Sequence, residues 1–193
     1  MIITISGLPG AGKSTVAQLL AKKLHLQRHY LGGIRREMAR RQGITIDELN
    51  RRSENDPSSD RVVDAYVKRL ARSDNSIVES RTAFHFIPHS LKVFLTVDLR
   101  EAARRISHDL QAGSSRNETP YRNEQEALIG LRRRIASDRR RLKKFYGFDC
   151  YDKNNYDLLI DTTSLSPEET TQAIVRFLSQ SAPKALIERK RKF

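Results

Sequence analysis

The chain has 193 residues, enough for one domain with a sizeable core, and its single cysteine, Cys150, excludes an internal disulfide and fits a reducing, cytosolic setting. Lysine and arginine number 36 against 23 aspartate and glutamate, and the net charge of +13 favours anionic partners: nucleotides, RNA or acidic surfaces. No apolar run reaches transmembrane length, and the five histidines form no zinc-ligand pattern with the cysteine.

The chain opens with a β-branched run, Ile2–Ser6, that reads as a buried strand. Gly7 and Pro9 interrupt the apolar stretch after five residues and no basic segment precedes it, so no signal peptide is expected. The strand runs into Gly7-Leu8-Pro9-Gly10-Ala11-Gly12-Lys13-Ser14, followed by Thr15, which is the P-loop pattern. Its glycines let the backbone curl and bring N–H groups close to phosphate oxygens. The helix that begins there adds its own free N–H groups and dipole. In such a loop Lys13 reaches the β- and γ-phosphates, the Ser14 hydroxyl ligates Mg²⁺, and Thr15 supports the turn. The context required of a true P-loop is present, because Val16, Leu19, Leu20 and Leu24 give the following helix, about Lys13–Leu24, an apolar face.

Leu26–Leu31 is a poor strand by composition, with Gln27, Arg28 and His29 inside it. Gly32-Gly33 is expected to break it before a basic helix over Ile34–Gln42. Thr45-Ile46-Asp47-Glu48 forms a capping box for a short helix that Asp56-Pro57 ends. Val62, Val63, Tyr66, Val67 and Leu70 define one helical face within Ser59–Arg72. Strands follow at Ser76–Glu79 and Lys92–Val97, the second ending in Asp98, and Arg100–Ile106 reads as helix. Pro88 between His85 and His89 argues against a shared helical face there. Gln111–Asn123, rich in Gly, Ser, Asn and Thr, is expected to be a mobile loop, with Thr119-Pro120 as cap and first residue of a long helix. That helix carries Leu128, Leu131, Ile135, Leu142 and Phe145 on one face and stops at Gly147. Leu158–Asp161 is the last strand, Pro167 opens a final helix through Leu178, and Lys184–Phe193 is a basic tail expected to fray.

Alternation of strands and helices predicts an α/β fold: a parallel, five-stranded sheet in a three-layer α/β/α arrangement, with the ligand beyond the strands' carboxyl ends. Two groups of residues at those ends are candidates for chemistry. In Glu79-Ser80-Arg81, the carboxylate is placed to orient Mg²⁺ through its waters, and Arg81 to clamp a phosphate bidentately. In Arg132-Arg133-Arg134 with Arg139-Arg140-Arg141, one or two guanidiniums aimed at a transferring phosphoryl would offset its charge. Residues 134, 138 and 141 fall on similar sides of a helix, and the remaining arginines are expected to form a solvated basic face.

The ordered set of motifs resembles the archaeal-type cytidylate kinases, within the nucleoside monophosphate kinases. Beside the P-loop it comprises Gly32-Gly33-Ile34-Arg35-Arg36, Glu54-Asn55-Asp56-Pro57 with Asp60 and Asp64, and Val78-Glu79-Ser80-Arg81. Ser137-Asp138, Arg141, Phe145–Asp149 and Tyr156–Asp161 complete it. The resemblance implies transfer of the ATP γ-phosphoryl to CMP or dCMP, with Mg²⁺. It implies that Arg36 and Arg81 hold the acceptor's phosphate, with Gly33 and Glu79 also at the acceptor. It places an acceptor-binding flap over about Gly33–Arg72 and a lid over about Ser107–Arg141, from which Arg134 and Arg141 reach the phosphates. A single kinase domain would then cover 1–178, followed by a basic tail, 179–193.

The chain departs from the family pattern at three places, all on the acceptor side. It has Gly33 and Arg35 where Gly-Asp-Ile-Phe-Arg has Asp and Phe, Ser80 where Glu-Gly-Arg has Gly, and Ala65 where an arginine often follows the second flap aspartate. Two alternatives stand beside this reading. One is a P-loop kinase for another nucleotide or a small metabolite. The other is an RNA- or ribosome-associated NTP-binding protein, suggested by the net charge and the tail.

Overall fold

The computed structural model describes residues 1–111, 117 and 121–190, the segment 181–190 by its backbone course alone. The elements in chain order are β1 (Ile2–Gly7), α1 (Lys13–Leu24), β2 (Gln27–Tyr30), α2 (Leu31–Arg41), α3 (Ile46–Ser53), α4 (Ser58–Leu70), β3 (Ser76–Glu79) and α5 (Ala83–Phe86). They continue with β4 (Leu91–Thr96), α6 (Leu99–Gln111), α7 (Glu124–Tyr146), a 3₁₀ turn at Lys153–Asn155, β5 (Leu158–Asp161) and α8 (Pro167–Lys190). All strand pairings are parallel and the order is β2-β3-β1-β4-β5, so β1 sits at the centre and β3, not an edge strand, lies beside it.

Alternation along β1 builds two cores. Ile3 and Ile5 face Val16, Ala17 and Leu20 of α1, Ala102 and Ile106 of α6, Leu131 of α7 and Ile174 of α8. Ile2, together with Val78 of β3, faces Leu31 of α2, Val63, Val67 and Leu70 of α4, and Ile87. These are the two helical layers expected of a parallel sheet buried on both sides. A third cluster, with Phe84, Phe94, Leu142, Cys150 and Tyr151 at its centre, fixes the C-terminal half of α7 against β4 and the short α5. Cys150 is buried and free.

Three sequence expectations need correction. Gly32-Gly33 does not break the chain; both lie in the first turn of α2, which starts at Leu31 directly after β2. The pair is there for space, since a Cβ on Gly33 would stand 2.7 Å from Tyr30 Cδ1 and one on Gly32 2.9 Å from Tyr30 Cε2. The long helix begins at Glu124, with the Asn123 side chain accepting from the Glu126 N–H as its cap. Thr119-Pro120 lies outside the described residues. The last helix does not end near Leu178 but continues through Lys190. Of the expected loop Gln111–Asn123, Asn117 accepts from the Ile46 N–H and donates to the Ile44 carbonyl, which ties it to the turn between α2 and α3.

Candidate active site

β1 delivers its chain to a cradle rather than a plain turn. After Gly7, Gly10 (φ 81°) and Gly12 (φ 75°) take left-handed backbone angles that side-chain-bearing residues adopt at a cost, and α1 starts immediately after Gly12. The first N–H groups of α1 therefore open onto the same space as the loop amides. Lys13 Nζ donates to the Leu8 carbonyl at 2.6 Å, arching over the loop. Ser14 Oγ donates to Glu79 Oε1 at 2.6 Å, joining the head of α1 to the end of β3. Glu79 is held from its other side by Arg28 of β2 at 2.9 Å. Thr162, just past β5, places its hydroxyl between the carbonyls of Thr96 at 2.9 Å and Ala11 at 3.3 Å, which sets the loop against the sheet.

A cavity of about 620 Å³ lies in front of this cradle, at the carboxyl ends of the strands. One half is walled by Pro9–Val16, by Glu101, Arg104, Arg105 and Asp109 of α6, and by Leu165 and Pro167. The other half is walled by Tyr30 of β2, by Leu31, Gly32, Arg35 and Arg36 of α2, by Asp60, Val63 and Asp64 of α4, and by Ser80, Arg81 and Thr82 after β3. Arg134 and Arg141 of α7 reach it from above. Of the sequence candidates, Lys13, Ser14, Thr15, Arg36, Glu79, Arg81, Arg134 and Arg141 all line this one space. Gly33 does not, its neighbour Gly32 does, and Leu8 packs into the core.

The six-arginine run divides as its helical spacing foretold. Arg139 pairs with Asp149 and Arg140 with Glu54 on the exposed side of α7, while Arg132 and Arg133 point to solvent. Arg141, by contrast, is 2% exposed. It pairs with Asp138 one turn back and with Asp60 of α4, each at 2.9 Å. Asp138 in turn meets Arg81 at 2.8 Å and accepts from the Tyr151 hydroxyl at 2.8 Å. Asp60 meets Arg35 at 2.5 Å, and Arg35 also donates to Asn50, Ser53 and Ser59.

The result is a lattice of three guanidiniums, those of the buried Arg35 and Arg141 and the partly exposed Arg81, on two buried carboxylates. It leaves a positive excess on the wall of the cavity. Arg141 Nη1 is buried with no hydrogen bond to any described residue. A buried donor on a guanidinium is costly to leave unmet, so an anion in the cavity is its natural partner. Burial alone would raise the Asp138 carboxyl, but Arg81, then Arg141 and Arg134, outweigh it and hold the group down at about 2. Burial pulls Arg35 down to about 10 against the attraction of Asp60, which leaves it charged near neutrality.

Sequence reasoning assigned no role in the site to three of its features, although Arg35, Asp60 and Asp64 stand in the motif set. Arg35 is buried at the middle of the stripe Leu31, Arg35, Ala39, spacing four, and that spacing was the available sign. Asp60 and Asp64 share a buried face of α4 with Val63 and Val67 for the same reason. Glu101, with Arg104 and Arg105, walls the far half; hydrogen bonds from Arg104 and Arg105 hold its carboxyl down at about 2.

Residues 2–164 match the model of the cytidylate kinase-like family. The chain belongs to that family. Proteins named cytidylate kinase from Sulfurisphaera tokodaii and Sulfolobus acidocaldarius are 34% and 36% identical to it, over 93% of this chain and 96% and 95% of theirs. Among solved structures it is similar to a shikimate kinase from Bacteroides thetaiotaomicron (TM-score 0.63, 18% identity, covering 93% of this chain and 98% of the other). A shikimate kinase from Acinetobacter baumannii gives the same TM-score of 0.63 at 17% identity, covering 93% of each chain. At such identities the likeness concerns the fold, a P-loop kinase architecture shared with this cytidylate kinase-like chain. No helix among the described residues is long and apolar enough to cross a membrane.

Proposed function

We propose that the protein is a nucleoside monophosphate kinase that transfers the γ-phosphoryl of ATP to CMP or dCMP, giving ADP and CDP or dCDP. The observation that carries this reading is the arginine-rich wall, Arg35, Arg81 and Arg141, facing a P-loop across one cavity. Two anions are needed to use both sides of it. Membership in the cytidylate kinase-like family supplies the substrate class.

In this reading the P-loop half of the cavity takes ATP and the Arg36–Arg81 half takes the acceptor's phosphate. The segment of about 33–72 is the acceptor-binding flap, about 107–141 the lid, 1–178 the kinase domain and 179–193 a basic tail. An acceptor phosphate oxygen attacks the γ-phosphorus in line while the bond to the ADP oxygen breaks. Lys13, the loop amides, Arg81, Arg134 and Arg141 offset the charge on the transferring group. No general base is needed, because a phosphate monoester is already largely ionised near neutrality, its second pKa being about 6. Closure of the lid excludes water, which would otherwise accept the phosphoryl.

Magnesium fits the residues present. The Ser14 hydroxyl and the Glu79 carboxylate are hard oxygen donors 2.6 Å apart at the mouth of the loop. Ser14 would ligate the ion directly and Glu79 through water. When bound it would neutralise charge on the β- and γ-phosphates.

The test is an acceptor screen with labelled ATP and magnesium across CMP, dCMP, UMP, AMP and GMP. CDP or dCDP is expected as the main product, and no product above background is expected from a Lys13→Ala control. A wild-type protein that ignores every monophosphate while consuming ATP with another acceptor would sink the assignment.

A further inference from the structure

The acceptor half of the cavity contains a carboxylate that phosphate binding does not require. Asp64 is 5% exposed and lines the cavity beside Leu31, Val63 and Thr82. The neighbouring acids are neutralised: Asp60 by Arg35 and Arg141, Glu79 by Arg28. Asp64 makes no ion pair among the described residues. Its partners are two hydroxyls, Thr82 Oγ1 at 3.0 Å on Oδ1 and the Tyr146 hydroxyl on Oδ2. Burial pushes its carboxyl up, while the hydroxyls of Tyr146 and then Thr82 pull it back.

A buried negative charge without a cation, in a cavity meant for a phosphate monoester, works against that ligand by simple repulsion. Another part of the ligand can offset that repulsion by using the carboxylate as an acceptor. What Asp64 offers is acceptor capacity: each oxygen has two lone-pair directions and spends one on a hydroxyl. The apolar side chains of Leu31 and Val63 beside it suit the face of a flat ring. The complementary group is therefore a neutral N–H donor on a heterocycle.

Among pyrimidine bases this chemistry discriminates. Cytosine carries an amino group at C4, whereas uracil carries a carbonyl oxygen there, which would place acceptor against acceptor. Resting on the reading of this site as that of a pyrimidine monophosphate kinase, we propose that Asp64 selects cytosine over uracil by accepting a hydrogen bond from the 4-amino group. Asp60, one turn earlier on α4, does not have this role, because its oxygens face Arg35 and Arg141.

The experiment compares kcat/KM of the wild-type protein for CMP, UMP and the monophosphate of the 2-pyrimidinone riboside, which is CMP without its amino group. Both UMP and the amino-less analogue are expected to fall roughly 10- to 100-fold below CMP, the size of one lost hydrogen bond to a charged acceptor. Asp64→Asn keeps the shape and supplies an amide donor; the CMP-to-UMP ratio is expected to fall by about tenfold or more, as CMP weakens and UMP improves. Tyr146→Phe removes a hydroxyl from Asp64 but keeps the carboxylate, and is expected to retain the preference for CMP.

Amino-less CMP as good as CMP overturns the proposal, and that arm needs no variant to fold. So does an Asp64→Asn enzyme that loses both substrates equally, which is the mark of a residue that only holds Tyr146 and Thr82 in place. If wild-type protein phosphorylates neither CMP nor dCMP, the kinase assignment itself fails and this inference goes with it.

Discussion

Arg81, at the end of β3, and Asp138, in the middle of α7, meet at 2.8 Å with Asp138 fully buried. Arg141 takes the other oxygen of the same carboxylate. Asp138 is thus the hinge-pin between two guanidiniums that belong to different layers of the fold. Replacing it takes the carboxylate partner from Arg81 and leaves Arg141 with Asp60 alone, a loss of about 3–5 kcal/mol when one partner of such a buried pair is removed. Asp138→Ala is expected to lower unfolding free energy by that much in a urea titration. A change under about 1 kcal/mol would mean that Arg81 and Arg141 do not depend on it.

The same carboxylate sets an acid limit. Its folded-state value is depressed to about 2, whereas an unfolded aspartate titrates near about 3.9. A depressed carboxyl stabilises the folded state above the unfolded value and loses that contribution as pH falls through the folded one. Stability should therefore drop between about pH 4 and pH 2. Chemical unfolding at a series of pH values measures it. In Asp138→Asn the decline across that window is expected to be shallower by roughly 1–3 kcal/mol; an unchanged slope would assign the acid sensitivity to other groups.

Local rules carried much of this architecture and stopped at a definable place. The P-loop, the interior strands and the α1 and α7 faces were legible because burial imposes a period on residues such as Ile3 and Ile5; the α4 face was legible at Val63 and Val67 but not at Val62, which is 54% exposed. β2 was faint because it is an edge strand, with Gln27 and Tyr30 exposed. The ion lattice was not legible as a lattice. Arg35, Asp60, Arg81 and Asp138 come from four elements far apart in the chain, and no local rule brings them together. Local rules misplace the start of α2, because Gly32-Gly33 reads as a breaker while the ring of Tyr30, just upstream, occupies the space their side chains would fill.

Gly33 and Tyr30 should therefore be coupled. A Cβ on Gly33 would come within 2.7 Å of the ring, closer than real contacts allow. Overpacking of this kind costs about 1–3 kcal/mol, partly offset by the gain of up to about 1 kcal/mol from removing a helical glycine. Gly33→Asp, which restores the residue common in the family pattern, is expected to destabilise the protein alone and to be tolerated in a Tyr30→Ser background. A double-mutant cycle in urea should give a coupling of at least about 1 kcal/mol. Additive effects would show that the ring simply swings aside.

The arginines of α7 provide the sharpest separation of machinery from surface, because one helix carries both. Arg134 lines the cavity and Arg140 sits 63% exposed, paired with Glu54 across to the end of α3. An exposed ion pair contributes about 0.2–1 kcal/mol and nothing to charge developing 3 Å from a transferring phosphoryl. Arg140→Ala should thus leave kcat within about twofold and shift stability by less than about 1 kcal/mol. Arg134→Ala should lower kcat by about 10²-fold or more, since in the proposed mechanism it removes a cation that acts on the transition state. Steady-state kinetics with CMP and ATP, beside urea unfolding of the same preparations, read both quantities. If the two variants lost kcat equally, the inner and outer faces of α7 would not differ in function, and the assignment of the cavity's arginines to the phosphoryl group would have to be abandoned.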